Sequence, residues 1–180
     1  VNQSRNPSFR LIVGIAIGVV ALAVQAKPQK ETAEAVLEWN AVATDAMGAF
    51  AQANPPGMPP YREARIYAMA FVAMHDSLNA IQPRFRPYAC RGSSPGASPT
   101  AAVAPAVHDV LVGAFPPQAA MVDAAYAASM ADEHDNVRAQ KGVALGQYCA
   151  QVILALRSAD GSDAAQVPYL SGAGLGDYQF

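Results

Sequence analysis

Long apolar runs, clustered charge and nucleophile signatures are all scarce in this sequence, and each scarcity removes a class of function. The longest apolar run covers 14 residues, 11–24, short of the roughly 20 that a membrane-spanning helix needs. Charged residues are only 14% of the 180, and 12 basic against 14 acidic side chains leave a net charge of −2. That balance offers no basic footprint for nucleic acid, and no basic stripe alternates with aromatics. No stretch alternates apolar and polar residues as a half-buried strand does, which argues against a sheet. Gly-x-Ser-x-Gly, a cysteine within a histidine-based motif and the phosphate-cradling Gly-x-x-x-x-Gly-Lys are all missing. The glycines of 171–176 (SGAGLG) follow no strand, so they are a weak signal for a nucleotide loop.

What the chain does have is helix. Apolar residues make up 52% of it, much of this alanine, and the length suits one domain with a targeting segment. The expected fold is all-α, a bundle of about five helices behind an N-terminal signal. Arg5 and Arg10 form the positive n-region of that signal, 11–24 its apolar core, and Val24-Gln25-Ala26 its small-residue cleavage site. The expected divisions are a signal peptide at 1–26, a helical scaffold at 27–161 and an irregular tail at 162–180. Export to the periplasm or medium follows, with an uncleaved anchor as the alternative. Cleavage would remove two basic residues and no acidic ones, leaving 10 against 14 and a net charge of −4.

Helical periodicity then predicts five elements. The first spans 31–53, with Thr32 placed to cap it. NPPGMPP at 54–60 is a stiff connector. The second runs from about 61 to 82 and is apolar on nearly every side, which marks it as the buried helix that the others wrap. Pro83 and Pro87 end it. Residues 83–100 read as a long surface loop, and Ser98-Pro99 opens a third helix that Pro105 should kink. The fourth helix follows Phe115-Pro116-Pro117 from about 118 to 131. The polar turn 132–136 (DEHDN) leads to the fifth, 137–157, with Gly161 where a stop is expected.

The best chemical candidates are two His-Asp pairs, His75-Asp76 and His108-Asp109, in similar contexts. A carboxylate beside a histidine fixes its tautomer, and two helices each carrying such a pair are weak candidates for holding a cation. Adjacent residues on a helix point about 100° apart, however, and a helix-to-helix hydrogen-bond network needs no more than this spacing. Asp132, Glu133, His134 and Asp135 have ligand chemistry but read as a solvated turn. Cys90 and Cys149 are an even pair, which an exported chain can bridge. Cys149 lies among Leu145, Val152 and Ile153, where a free thiol would serve equally as a small buried apolar group. No catalytic, cofactor-binding or metal residue is assigned.

Four stretches together resemble a known family: Leu37-Glu38-Trp39-Asn40, residues 73–88 (AMHDSLNAIQPRFRPY), 110–118 (VLVGAFPPQ) and 154–163 (LALRSADGSD). They are similar to the N-terminal helical region of bacterial vanadium-dependent haloperoxidases, of the type 2 phosphatidic acid phosphatase superfamily. The resemblance covers about 34–178 and implies an all-helical protein that oxidises halide with peroxide or hydrolyses phosphoesters. It also implies vanadate or phosphate held by Lys-x6-Arg-Pro, Pro-Ser-Gly-His and Ser-Arg-x5-His-x3-Asp motifs in a C-terminal half. None of these is here. Lys141 is followed seven residues later by Tyr148, Ser171-Gly172 by Ala173, and Ser4-Arg5 lies in the signal.

A trianionic oxyanion needs several converging cationic donors, and the 10 basic residues outside the signal form no cluster of three. The chain therefore reads as a scaffold, inactive alone, whose partner is a missing catalytic half in the same or a separate chain. The rival reading is a self-sufficient exported helical module that binds a partner without catalysis. The 154 residues after the signal are enough to bury a core.

Overall fold

The computed structural model describes residues 29–178 except 132, 134, 135, 163 and 166–169. The expected signal segment, and most of the acidic turn at 132–135, lie outside the described residues. Five helices run in order: α1 Gln29–Ala53, α2 Pro60–Ile81, α3 Pro99–Ala114, α4 Ala119–Ala131 and α5 Val137–Arg157, with one 3₁₀ turn at Pro116–Gln118 before α4. The described residues contain no strand, and the chain is an all-α bundle.

The sequence chemistry accounts for where the helices start and stop. Pro60 and Pro99 sit in first turns, where the missing N–H is one that a helix leaves unbonded anyway. Ser98 caps α3 by accepting the Ala101 N–H at 3.3 Å. Asn136 caps α5 by accepting the N–H groups of Arg138 and Ala139 at 2.9 and 3.0 Å. Helix α1 begins at Gln29 rather than at a Thr32 cap, so Thr32 falls inside its first turn. Helix α3 continues through Pro105.

The centre of the bundle is α3, not α2. Helix α3 packs against α1, α2, α4 and α5 in turn, and every residue from Ala101 to Val107 is buried. Helix α2 keeps one side half-open, where Tyr67 and Phe71 stack at 5.8 Å. An all-round apolar pattern was the signal for a central helix, but aromatic side chains can cover their own flank, whereas alanines pack only where a neighbour comes close.

That close approach is built into α5. A Cβ on Gly142 would lie 2.6 Å from the Ser98 carbonyl oxygen, and one on Gly146 would lie 2.3 Å from the Ala102 oxygen and 2.7 Å from Pro105 Cγ. The two glycines let α5 settle onto the backbone of α3, with Cys149, Ala150 and Ile153 buried further along the same face. On the other side of α3, Trp39 of α1 is fully buried. Its indole N–H donates to Ser129 Oγ of α4 at 3.3 Å, and its ring lies 6.5 Å from that of Tyr126. Phe50 meets Phe115 edge-on at 5.0 Å.

Candidate functional site

The two His-Asp pairs do not meet at a common site, and each has a separate local task. Asp76 lies on the inner face of α2 with no exposed surface. Its carboxylate accepts the backbone N–H groups of Tyr88, Ala89 and Cys90, each at 2.8 Å, and His75 Nδ1 lies 3.1 Å from one of its oxygens. Burial alone would raise this carboxyl, but the amides of Ala89, Tyr88 and Cys90, with His75, outweigh it and hold the group below its ordinary 3.8. A carboxylate so fully used by loop amides has little left to offer a cation.

Asn79, one turn further along α2, completes the clamp. Its side-chain oxygen accepts the N–H groups of Arg84 and Phe85 at 2.9 Å each, and its amide N–H donates to the Phe85 carbonyl at 2.8 Å. The loop that follows is fastened again where Ser94 N–H donates to the Ala80 oxygen at 2.9 Å. Cys90 is bonded to Cys149 of α5, with an S–S distance of 2.03 Å. Residues 83–92 thus leave the helix as a loop without secondary structure, yet they are held from three directions.

This rigid loop borders an open cavity. A pocket of about 390 Å³ lies between the end of α2 and the loop, lined among others by Ala80, Phe85, Arg86, Pro87 and Arg91. Arg84 stands beside it on the same loop, its guanidinium donating to Gln82 at 3.3 Å. Three cations within eight residues is a grouping that the sequence reading, which counted no cluster of three, passed over. Its signal was there: the chain has no Asp or Glu between Asp76 and Asp109.

His108 belongs to a different place, the seam of α3 and α4. Its Nδ1 lies 2.7 Å from Asp109 and its Nε2 lies 2.8 Å from Asp123, and its ring packs 4.6 Å from that of Tyr126. Both ring nitrogens face carboxylates, which only the imidazolium satisfies with two N–H donors. The Asp109 hydrogen bond raises the imidazole above its ordinary 6.5; burial opposes this and the Asp123 bond adds to it. Burial, with the Asp109 charge, likewise pushes the Tyr126 hydroxyl up.

A second, smaller cavity of about 250 Å³ lies between α2 and α5. The Arg65 guanidinium at its edge meets Asp160 at 3.2 Å and donates to the Arg157 carbonyl at 2.9 Å, while the Arg157 side chain bonds the Tyr88 hydroxyl. Its charges are matched within the chain, so it is a tie between helices before it is a place for a ligand.

Among the described residues no group of three or more His, Cys, Asp or Glu is arranged to hold a metal ion, and no helix is long and apolar enough to cross a membrane. Nor do the residues present fit the vanadate that the resemblance implies. That trianion wants a histidine and several cations around one point, but His108 is enclosed by two carboxylates, and His75, whose ring lies 6.0 Å from that of Phe85 beside the Arg86 and Arg91 pocket, has its Nδ1 against the Asp76 carboxylate and is not itself among the lining residues. No family model, curated protein or solved structure matches the chain.

Proposed function

We propose that this chain is the helical scaffold of a vanadium haloperoxidase-like or acid phosphatase-like protein, inactive by itself, with the oxyanion-binding groups supplied from outside the described residues. The observation that supports this most is the use made of the polar residues within the resembling stretches. Trp39, Asp76 and Asn79 are bonded to Ser129, to the 88–90 amides and to the 84–85 backbone respectively. They maintain shape. The same residue types that suggest a family of enzymes act here as the joints of a frame.

A specific observation favours the rival reading, a self-sufficient exported binding module. No described buried side-chain polar atom lacks a hydrogen-bond partner, and the main core joins residues from Ala35 to Ile153, with a smaller cluster around Cys90 and Cys149 beside it. The two readings separate on the purified chain 27–180. A scaffold awaiting its other half self-associates through uncovered apolar surface. A complete module sediments as a monomer and melts in one sharp transition. Either way, the chain given vanadate, peroxide and bromide should turn nothing over, and saturable turnover would overturn the scaffold reading.

A further inference from the structure

The pocket under the 83–92 loop is a built site with no assigned occupant. Among the described residues neither Arg86 nor Arg91 has an acceptor for its guanidinium, although both line the same cavity and both are exposed at its rim. The chain carries no acid between Asp76 and Asp109, and the Asp76 carboxylate is fully buried and engaged by three loop amides. None of the residues lining the pocket is acidic, so neither guanidinium meets a carboxylate there.

The loop is also held before any ligand arrives. Asp76 fixes residues 88–90, Asn79 fixes 84–85, and the Cys90–Cys149 bond ties the far end to α5. A ligand here meets an ordered site and bears little of the ordering cost that weakens binding to mobile loops.

The lining specifies the ligand's other half. Ala80, Pro83, Phe85 and Pro87 give the cavity apolar walls, and Phe85 is 71% exposed, an aromatic face free to be covered. A volume of about 390 Å³ falls in the range of small-molecule pockets, roughly 300–1,000 Å³, and a bare oxyanion would leave most of it to water. We propose that this pocket binds a small organic anion, a carboxylate or phosphate monoester on a flat apolar body. The guanidinium forks of Arg86 and Arg91 take the oxyanion, and the body lies against Phe85 and the two prolines. The assignment is independent of the haloperoxidase-like reading, since it involves no turnover.

The test is an amide-resolved NMR titration of the disulfide-intact full chain with phenyl phosphate and with benzoate, run beside inorganic phosphate and benzyl alcohol. At least one of the two aromatic anions should give saturable shifts at Arg86, Arg91 and Gly92, tighter than either half-ligand. Which of the two binds more tightly distinguishes a phosphate site from a carboxylate site. Arg86→Ala and Arg91→Ala should each weaken that binding about tenfold, the loss of one charge-assisted pair, and Lys141→Ala on α5 should leave it unchanged. Neither arginine side chain is bonded among the described residues, so both variants should melt as the parent does. Shifts that never saturate, that are as strong for inorganic phosphate, or that survive both substitutions would overturn the assignment.

Discussion

The amide of Cys90 donates to the buried carboxylate of Asp76 at 2.8 Å, so the residue that carries the disulfide is also the last of the three N–H groups that Asp76 gathers. One side chain on α2 thereby fixes the loop at the point where a covalent bond fixes it to α5.

Asp76→Ala should strand three loop amides and cost about 3 kcal/mol or more, given roughly 1–3 kcal/mol for each buried donor left unpaired. Asp76→Asn should fall between, because a neutral oxygen accepts less strongly than a carboxylate. The folded carboxyl lies below its ordinary 3.8, so its contribution is fully present above that value and is lost as pH falls through the lower folded one. Urea unfolding between pH 7 and pH 2 should show that acid loss in the parent and a flatter profile in Asp76→Asn.

His108 has the opposite sign. Its folded imidazole is raised above 6.5, so the stabilisation is fully present below 6.5 and fades as pH rises through the raised value, where one of the two carboxylates loses its donor. Asp123 is 60% exposed, and solvent screening limits the effect to about 1 kcal/mol. Thermal midpoints from pH 5.5 to 9 should decline for the parent over that window, and His108→Gln should remove the decline.

The disulfide spans 59 residues of sequence, and closing a loop of that length restricts the unfolded chain by about 4 kcal/mol in the chain-entropy account. The Cys90→Ser, Cys149→Ser double variant should lose an amount of this order and still fold, because Asp76 and Asn79 continue to hold the loop. Denaturant midpoints with and without reductant check both statements.

Two glycine substitutions should move in opposite directions. Gly146→Ala places a methyl group against the Ala102 oxygen and Pro105, backbone and ring atoms that cannot swing aside, and should cost about 1–3 kcal/mol or more. Gly48 of α1 has nothing within 4 Å of its missing Cβ, so Gly48→Ala should stabilise by about 0.5–1 kcal/mol through helix propensity alone. Equal losses at both positions would contradict the close α3–α5 packing.

The extents of the helices were legible in the sequence because their limits are chemical: Pro60, the Ser98-Pro99 pair and the Phe115-Pro116-Pro117 break all mark ends that periodicity then fills. The centre was less legible. Helix α3 draws its importance from alanines between Ala101 and Ala106, which carry little hydrophobic signal and gain their value only because Gly142 and Gly146 of a distant segment come to meet them. Asp76 stands out in the sequence as half of a His-Asp pair, but its partners are backbone amides 12 to 14 residues on, and amides have no sequence signature. Arg84, Arg86 and Arg91 were readable as residues within a loop. That the loop is rigid, and that two of them share a cavity, depends on the clamp beneath it.

The scaffold reading is tested most directly on protein captured from its source with an antibody against residues 29–178, assayed for peroxide-dependent bromide oxidation and phosphoester hydrolysis with and without added vanadate. The account predicts one of these activities in the captured material and neither in the isolated chain 27–180. Captured material without either activity at any vanadate concentration, or an isolated chain that is active alone, would contradict it.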